Sequence, residues 1–153
     1  MSLKLSADTV AEQDYWLKPM EISLPAGLIG FPDSHHVELI YNPEELPLMW
    51  LRASDNHALN FIVIEPQGLV HGYTIEISDD DAALLGIHGA ADILLFNIVT
   101  FRAEAPEAAT VNLIGPIVVN RHTLIGRQIV IANFAGYSAR HPLLTASTAD
   151  AVR

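Results

Sequence analysis

Seven histidines and a run of three aspartates are the residues of this 153-residue chain best suited to metal or acid–base chemistry. His35 and His36 are adjacent, so on a strand they point to opposite faces and cannot share one ion. His57, His71, His88, His122 and His141 are scattered, and no H-E-x-x-H pattern is present. Asp79, Asp80 and Asp81 lack the alternating spacing and the glycine of a calcium loop, and read instead as the solvated start of a helix. The serines fall in turn-like or terminal stretches, and the G-x-S-x-G element that presents a serine nucleophile is missing. No G-x-G-x-x-G follows a strand, and no G-K-[ST] phosphate loop exists. The absence of cysteine removes disulfides, thiolate zinc sites and thiol nucleophiles. The expectation is a protein that is not an enzyme, with no catalytic residue, no cofactor and no metal.

Composition narrows the class further. Half of the residues are hydrophobic and 17% are charged, against about 25% in an average soluble protein. Such a chain can fill a core, and its length suits one domain over residues 1–153. The net charge of −10 argues against direct nucleic-acid binding, which needs clustered Lys and Arg. The acids are unevenly placed: residues 1–110 hold 17 acids and 4 bases, whereas 111–153 hold 1 acid and 4 bases. That asymmetry suits a polarised surface with a preferred class of partner, although plain solubility explains it at least as well. The longest uncharged stretch, 108–120, is 13 residues and is broken by Gly115-Pro116, short of the roughly 18 that span a bilayer. The first 16 residues carry acids and no apolar block, unlike a secretory signal. A soluble, cytoplasmic chain with no membrane contact is expected.

The elements that must position these side chains read as short strands separated by turn residues. Strands are predicted over 37–41, 48–52, 61–64, 73–78, 93–101, 110–114, 117–120 and 128–132. Tyr73, Ile75 and Ile77 alternate with Thr74, Glu76 and Ser78, and the uncharged run 93–101 suits a strand covered on both faces. Arg121, His122, Thr123 and Gly126 form the turn before the last strand. One segment departs: Ser78 can cap a helix that begins at the three aspartates and stops at Gly86. The fold class is therefore all-β, a small closed or nearly closed antiparallel barrel with one short helix between two strands. Trp50 reads as core, while Trp16 lies in a polar stretch and could anchor a partner. Residues 1–14 and 145–153 lack periodicity and read as mobile tails.

Several segments, in order, resemble the flagellar assembly factor FliW family. The series starts with residues 24–32 (LPAGLIGFP), similar to that family's G-[LI]-x-G-F element. It continues through 48–51, 61–66 (FIVIEP), the acidic passage 73–85 and the strand 92–100. Residues 111–120 (VNLIGPIVVN) are similar to the family's N-L-x-x-P-I-V-I-N signature, and 128–131 and 137–144 (YSARHPLL) complete the set. The likeness covers about residues 20–144. Its motif residues have physical roles that stand without it. Gly27 and Gly30 permit backbone closed to other residues, so that Phe31 can be aimed at the core. Pro66 stops a strand, and Gly115-Pro116 bends or ends another. The amides of Asn112 and Asn120 bracket that bend and can satisfy its backbone groups. His141-Pro142 stays extended so that Leu143 and Leu144 pack back.

The resemblance implies a protein that binds flagellin in the cytoplasm and also binds the translational regulator CsrA. Flagellin export would then free it to sequester CsrA and relieve repression of flagellin translation. An acidic surface suits an RNA-binding partner, and charge with expected exposure nominates Glu65, Glu76, Asp79, Asp80 and Asp81 as contacts. Apolar contact to flagellin would fall to Phe31, Leu48 or Tyr137. From the residues alone, a small-molecule-binding or unusual enzymatic β-barrel stays open as the alternative.

Overall fold

The computed structural model describes residues 2–10, 19–56, 58–102, 104–105 and 108–143. Alternation of apolar and polar side chains sets the strands. They are β1 (Ser2–Ser6), β2 (Met20–Ser23), β3 (His36–Ile40), β4 (Met49–Ala53), β5 (Asn60–Ile64), β6 (Thr74–Ser78), β7 (Ile93–Thr100), β8 (Thr110–Val111), β9 (Ile117–Asn120), β10 (Gly126–Gln128) and β11 (His141–Pro142). Among the described residues there is one α-helix, α1 (Asp79–Leu85), between β6 and β7. Seven strands pair in the order β10-β9-β7-β5-β4-β3-β2, every pair antiparallel. β8 adds to the end of β7 and β11 to β8, and β1 pairs with β6 as a separate two-stranded sheet.

The long sheet curls until its two edges meet. At the meeting point the Ser23 N–H donates to the Leu124 carbonyl at 2.9 Å, and Ser23 bridges Ile125 in parallel sense. This contact nearly closes a barrel between β2 and β10. The barrel interior is filled by Ile22, Leu39, Met49, Leu51, Val63, Leu94, Phe96, Ile117 and Val119. Alternate residues of the same strands point outward into a second core: Ile64, Ile93, Leu95, Val99 and Val118 pack there with Ile75, Ile77, Leu85 and Leu5. β7 is thus a wall between two cores, which is why its sequence shows no polar face. Because successive strand residues face opposite ways, each β7 face can be apolar only if both are covered.

The structure departs from the sequence expectation at several places. The first residues, expected as a tail, form β1 through Ser6, with Leu5 buried against β6 and a 3-10 turn over Ala7–Thr9. Leu3 and Leu5 supply the period of two on a stretch too short to stand out without its partner. Residues 11–14 and 145–153, with Trp16, His57 and Leu144, lie outside the described residues. The last strand of the barrel is Gly126–Gln128 rather than 128–132, so Gly126 is in the ladder and not in the turn. Packing explains it: a Cβ on Gly126 would lie 2.8 Å from Val119 Cγ2, so only glycine lets the two strands approach there. Trp50, expected in the core, is 37% exposed, because Met49 and Leu51 take the inward positions of β4.

The outer core contains one polar network. Tyr73 is fully buried; its hydroxyl donates to the Leu113 carbonyl at 2.6 Å and accepts from Asn97 Nδ2 at 3.1 Å. Asn97 Nδ2 also donates to the Asn112 carbonyl at 2.9 Å. Burial pushes the Tyr73 phenol above its ordinary range. Tyr73→Phe strands a buried carbonyl, and a loss of about 2 kcal/mol in urea unfolding is expected. A raised folded-state value also means that the Tyr73 contribution is complete below the unfolded value near pH 10 and is lost as pH rises beyond it. The difference between wild type and Tyr73→Phe should therefore narrow above pH 10. Among the described residues no helix is long and apolar enough to cross a membrane.

Candidate functional site

The strand–helix junction that carries most of the expected acidic contacts is built by capping. Ser78 Oγ accepts from the Asp81 N–H at 3.1 Å, and Gly86, at φ 67°, ends the helix by donating to the Ala82 and Ala83 carbonyls. Asp79 and Asp80 are exposed at the first turn. Asp81 is half-buried and faces Arg127 Nη1 at 3.5 Å, and Glu76 is half-buried with Lys4 Nζ at 3.7 Å. Glu65 does not belong to this surface. It is 5% exposed, with Gln67 Nε2 3.4 Å from its carboxylate. Charge and expected exposure nominated Glu65, and its burial contradicts the expected exposure.

The three expected apolar contacts sit in different settings. Tyr137 is half-buried; its hydroxyl accepts from the Thr74 N–H at 2.8 Å, and its ring meets Tyr73 edge-on at 5.1 Å. Leu48 packs against the outer core. Phe31 is 37% exposed and meets Phe61 edge-on at 5.3 Å, so its loop aims it at the surface rather than the core. Sequence reasoning missed a further apolar hollow of about 280 Å³, lined by Pro25, Ala26, Leu84, Ile125 and Arg127, with Leu84 64% exposed. Leu84 lies on the helix stretch read only for its caps.

The remaining motif residues serve turns. Gly27 (φ 68°) and Gly30 (φ 89°) both have left-handed backbone. Pro66 is buried and its carbonyl accepts from Leu69 and Val70, both at 3.0 Å. Asn112 Oδ1 accepts from Ile114 and Gly115, each at 3.0 Å, across the bend before Pro116. Asn120 is 5% exposed and links α1 to the β9–β10 turn. His141-Pro142 pairs with β8, and Leu143 is buried. Asp92 accepts from the His88 N–H at 2.9 Å and faces His122 Nε2 at 3.2 Å, and these contacts hold its carboxyl below the usual range. Among the described residues no three His, Asp or Glu side chains form a group that could hold a metal.

A second acidic region lies where the barrel closes. A groove of about 920 Å³ runs along β2 and the start of β3 to Ser54, Asp55 and the Thr123–Leu124 backbone. Among the described residues its charged lining is Glu21 and Asp55, with His36 and no Lys or Arg. Next to it, a hollow of about 390 Å³ shares Asp55 and adds Asp33 beside the exposed Phe31. The sequence signal was present: Met20 and Ile22 alternate with Glu21 and Ser23, but four residues fell below notice. In total the geometry offers exterior acidic and apolar patches around a filled barrel, an arrangement suited to docking macromolecules.

Comparison with known proteins agrees with this reading. The family model described as FliW protein matches residues 5–143. The flagellar assembly factor FliW of Geotalea uraniireducens is 37% identical over 127 residues, covering 82% of this chain and 76% of the relative. Those of Natranaerobius thermophilus and Leptospira interrogans serovar Lai are 32% and 33% identical, over 80% and 84% of this chain and 80% and 85% of theirs. A crystal structure of the flagellar assembly factor FliW superposes with a TM-score of 0.74 at 30% identity, covering 82% of this chain and 86% of that one.

Proposed function

The chain belongs to the FliW family, and from that premise we infer that it is a cytoplasmic flagellar assembly factor working by protein binding alone. It holds flagellin, and when flagellin is exported it captures CsrA and lifts the repression of flagellin translation. The whole chain, 1–153, acts as one binding domain. The observation that carries this reading is the extent of the family match: residues 5–143 span both cores, α1 and the barrel seam. The surface supports it. Lys4, Arg52 and Arg127 each face an acid at 3.7, 3.0 and 3.5 Å, and Glu21, Asp33, Asp55, Asp79 and Asp80 are exposed, as are Arg102 and Arg140. With a net charge of −10 the exterior is negative on balance. A protein that binds RNA displays the opposite sign.

Co-purification tests the reading. The chain should associate with flagellin and with CsrA at micromolar concentration in low salt, and association with neither would overturn it. Asp79 and Asp80 give a finer test. Replacing both with Asn should slow association with CsrA about threefold at low ionic strength and flatten its salt dependence, read by stopped-flow fluorescence. An unchanged rate places those two acids outside the contact.

A further inference from the structure

Among the described residues, β2 has one partnered edge and one open edge. On the partnered side it pairs with β3 from Met20↔Leu39 to Ser23↔His36. Along a strand, backbone groups alternate between the two edges. The Ser23 N–H crosses the seam to Leu124, and the Leu24 N–H returns to His35 on the β3 side. The Glu21 N–H and carbonyl, two residues back from Ser23, therefore face the seam. Among the described residues the seam contact stops at Ser23, and no backbone group of β10 reaches Glu21. The open edge lies along the groove described above, whose charged side chains are Glu21 and Asp55. An open strand edge in a groove is a template for another strand, and the sign of the lining selects what that strand carries.

We propose that the free edge of β2 is a strand-addition site for an extended segment of a partner protein bearing basic side chains. The segment extends the barrel sheet past β2, pairing with the Glu21 N–H and carbonyl, while its Lys or Arg side chains reach Glu21 and Asp55. This deepens the protein-binding reading above by assigning the basic partner a surface.

The test uses the full chain and two labelled decapeptides of equal charge, one alternating Lys with Thr and one alternating Lys with Pro. Thr favours extended pairing, whereas Pro at alternate positions fixes φ near about −65° and holds the peptide off the φ of about −140° that an antiparallel ladder needs. Fluorescence anisotropy in low salt should show the Lys–Thr peptide binding at least about tenfold more tightly than the Lys–Pro peptide. Glu21→Pro removes the open-edge donor at a position where an edge strand tolerates proline, and should weaken Lys–Thr binding about tenfold with little change in melting temperature. Glu21→Gln keeps the donor and removes the charge, and should weaken binding about threefold and reduce its salt dependence. No binding at millimolar peptide, equal binding of the two peptides, or indifference to Glu21→Pro each overturns the proposal. If the Lys–Thr peptide binds as expected while CsrA does not, the edge site stands and the partner assignment falls. If CsrA binds and the peptide comparison fails, the reverse holds.

Discussion

Asn120→Asp should destabilise the protein by about 4 kcal/mol at neutral pH. The Asn120 side chain is 5% exposed and uses both ends of its amide. Nδ2 donates to the Leu85 carbonyl at 2.8 Å and lies 3.4 Å from the Gly86 carbonyl, fastening the end of α1. Oδ1 accepts from the His122 and Thr123 N–H groups at 2.8 and 3.2 Å, shaping the turn that carries β9 into β10. A carboxylate could keep the second pair of bonds but would press a buried charge against two carbonyl oxygens. That environment raises the introduced group's folded-state value above the unfolded value near 3.9. The penalty is then full at neutral pH and shrinks as pH falls through the raised value, because a protonated carboxyl can donate to Leu85. Guanidinium unfolding at pH 7 and pH 4.5 checks both parts. A loss below about 1 kcal/mol, or one that does not change with pH, would mean the amide is not the fastening.

Gly27→Ala is expected to cost about 3 kcal/mol, by two independent routes. The backbone at Gly27 has φ 68°, a region that side chains with a Cβ occupy at a cost. A Cβ there would also lie 2.5 Å from the Phe31 carbonyl oxygen and 2.6 Å from the Pro32 carbonyl, which are backbone atoms with little freedom to yield. The Gly27 loop is closed by paired bonds between Leu28 and Phe31, at 3.0 and 2.8 Å, and it sets the exposed Phe31 ring beside the acidic hollow. Gly30→Ala is the control. Its φ of 89° is also left-handed, but nothing lies within 4 Å of an added Cβ, so it should cost about 1 kcal/mol. Equal melting shifts for the two variants would show that the close approach at Gly27 contributes nothing.

The parts of the fold legible in the sequence were those whose signal is local. α1 was bounded by Ser78 and Gly86, each of which makes its cap with its own neighbours. β7 was visible because both of its faces are covered, which leaves an apolar run that no loop would carry. What escaped was set by contacts distant in sequence. β1 is a strand because it lies on β6, with Leu5 opposite Ile75, seventy residues away in the chain. Gly126 looked like a turn residue and is in a strand because Val119 stands opposite it. The surface was less legible still. Charge alone could not tell Glu65, buried, from Asp80, exposed, and the groove beside Glu21 lies at a seam bridged by Ser23 and Ile125, about a hundred residues apart in the chain.

Under the proposed function, the exterior of this barrel captures proteins, and capture of CsrA would be its regulatory act. The direct measurement is a competition on a labelled RNA carrying a CsrA site. Adding this chain to the CsrA–RNA complex at micromolar concentration should release the RNA, and adding flagellin afterwards should restore the complex. RNA that stays bound to CsrA throughout the titration, under salt conditions where all three proteins are folded, would contradict the account.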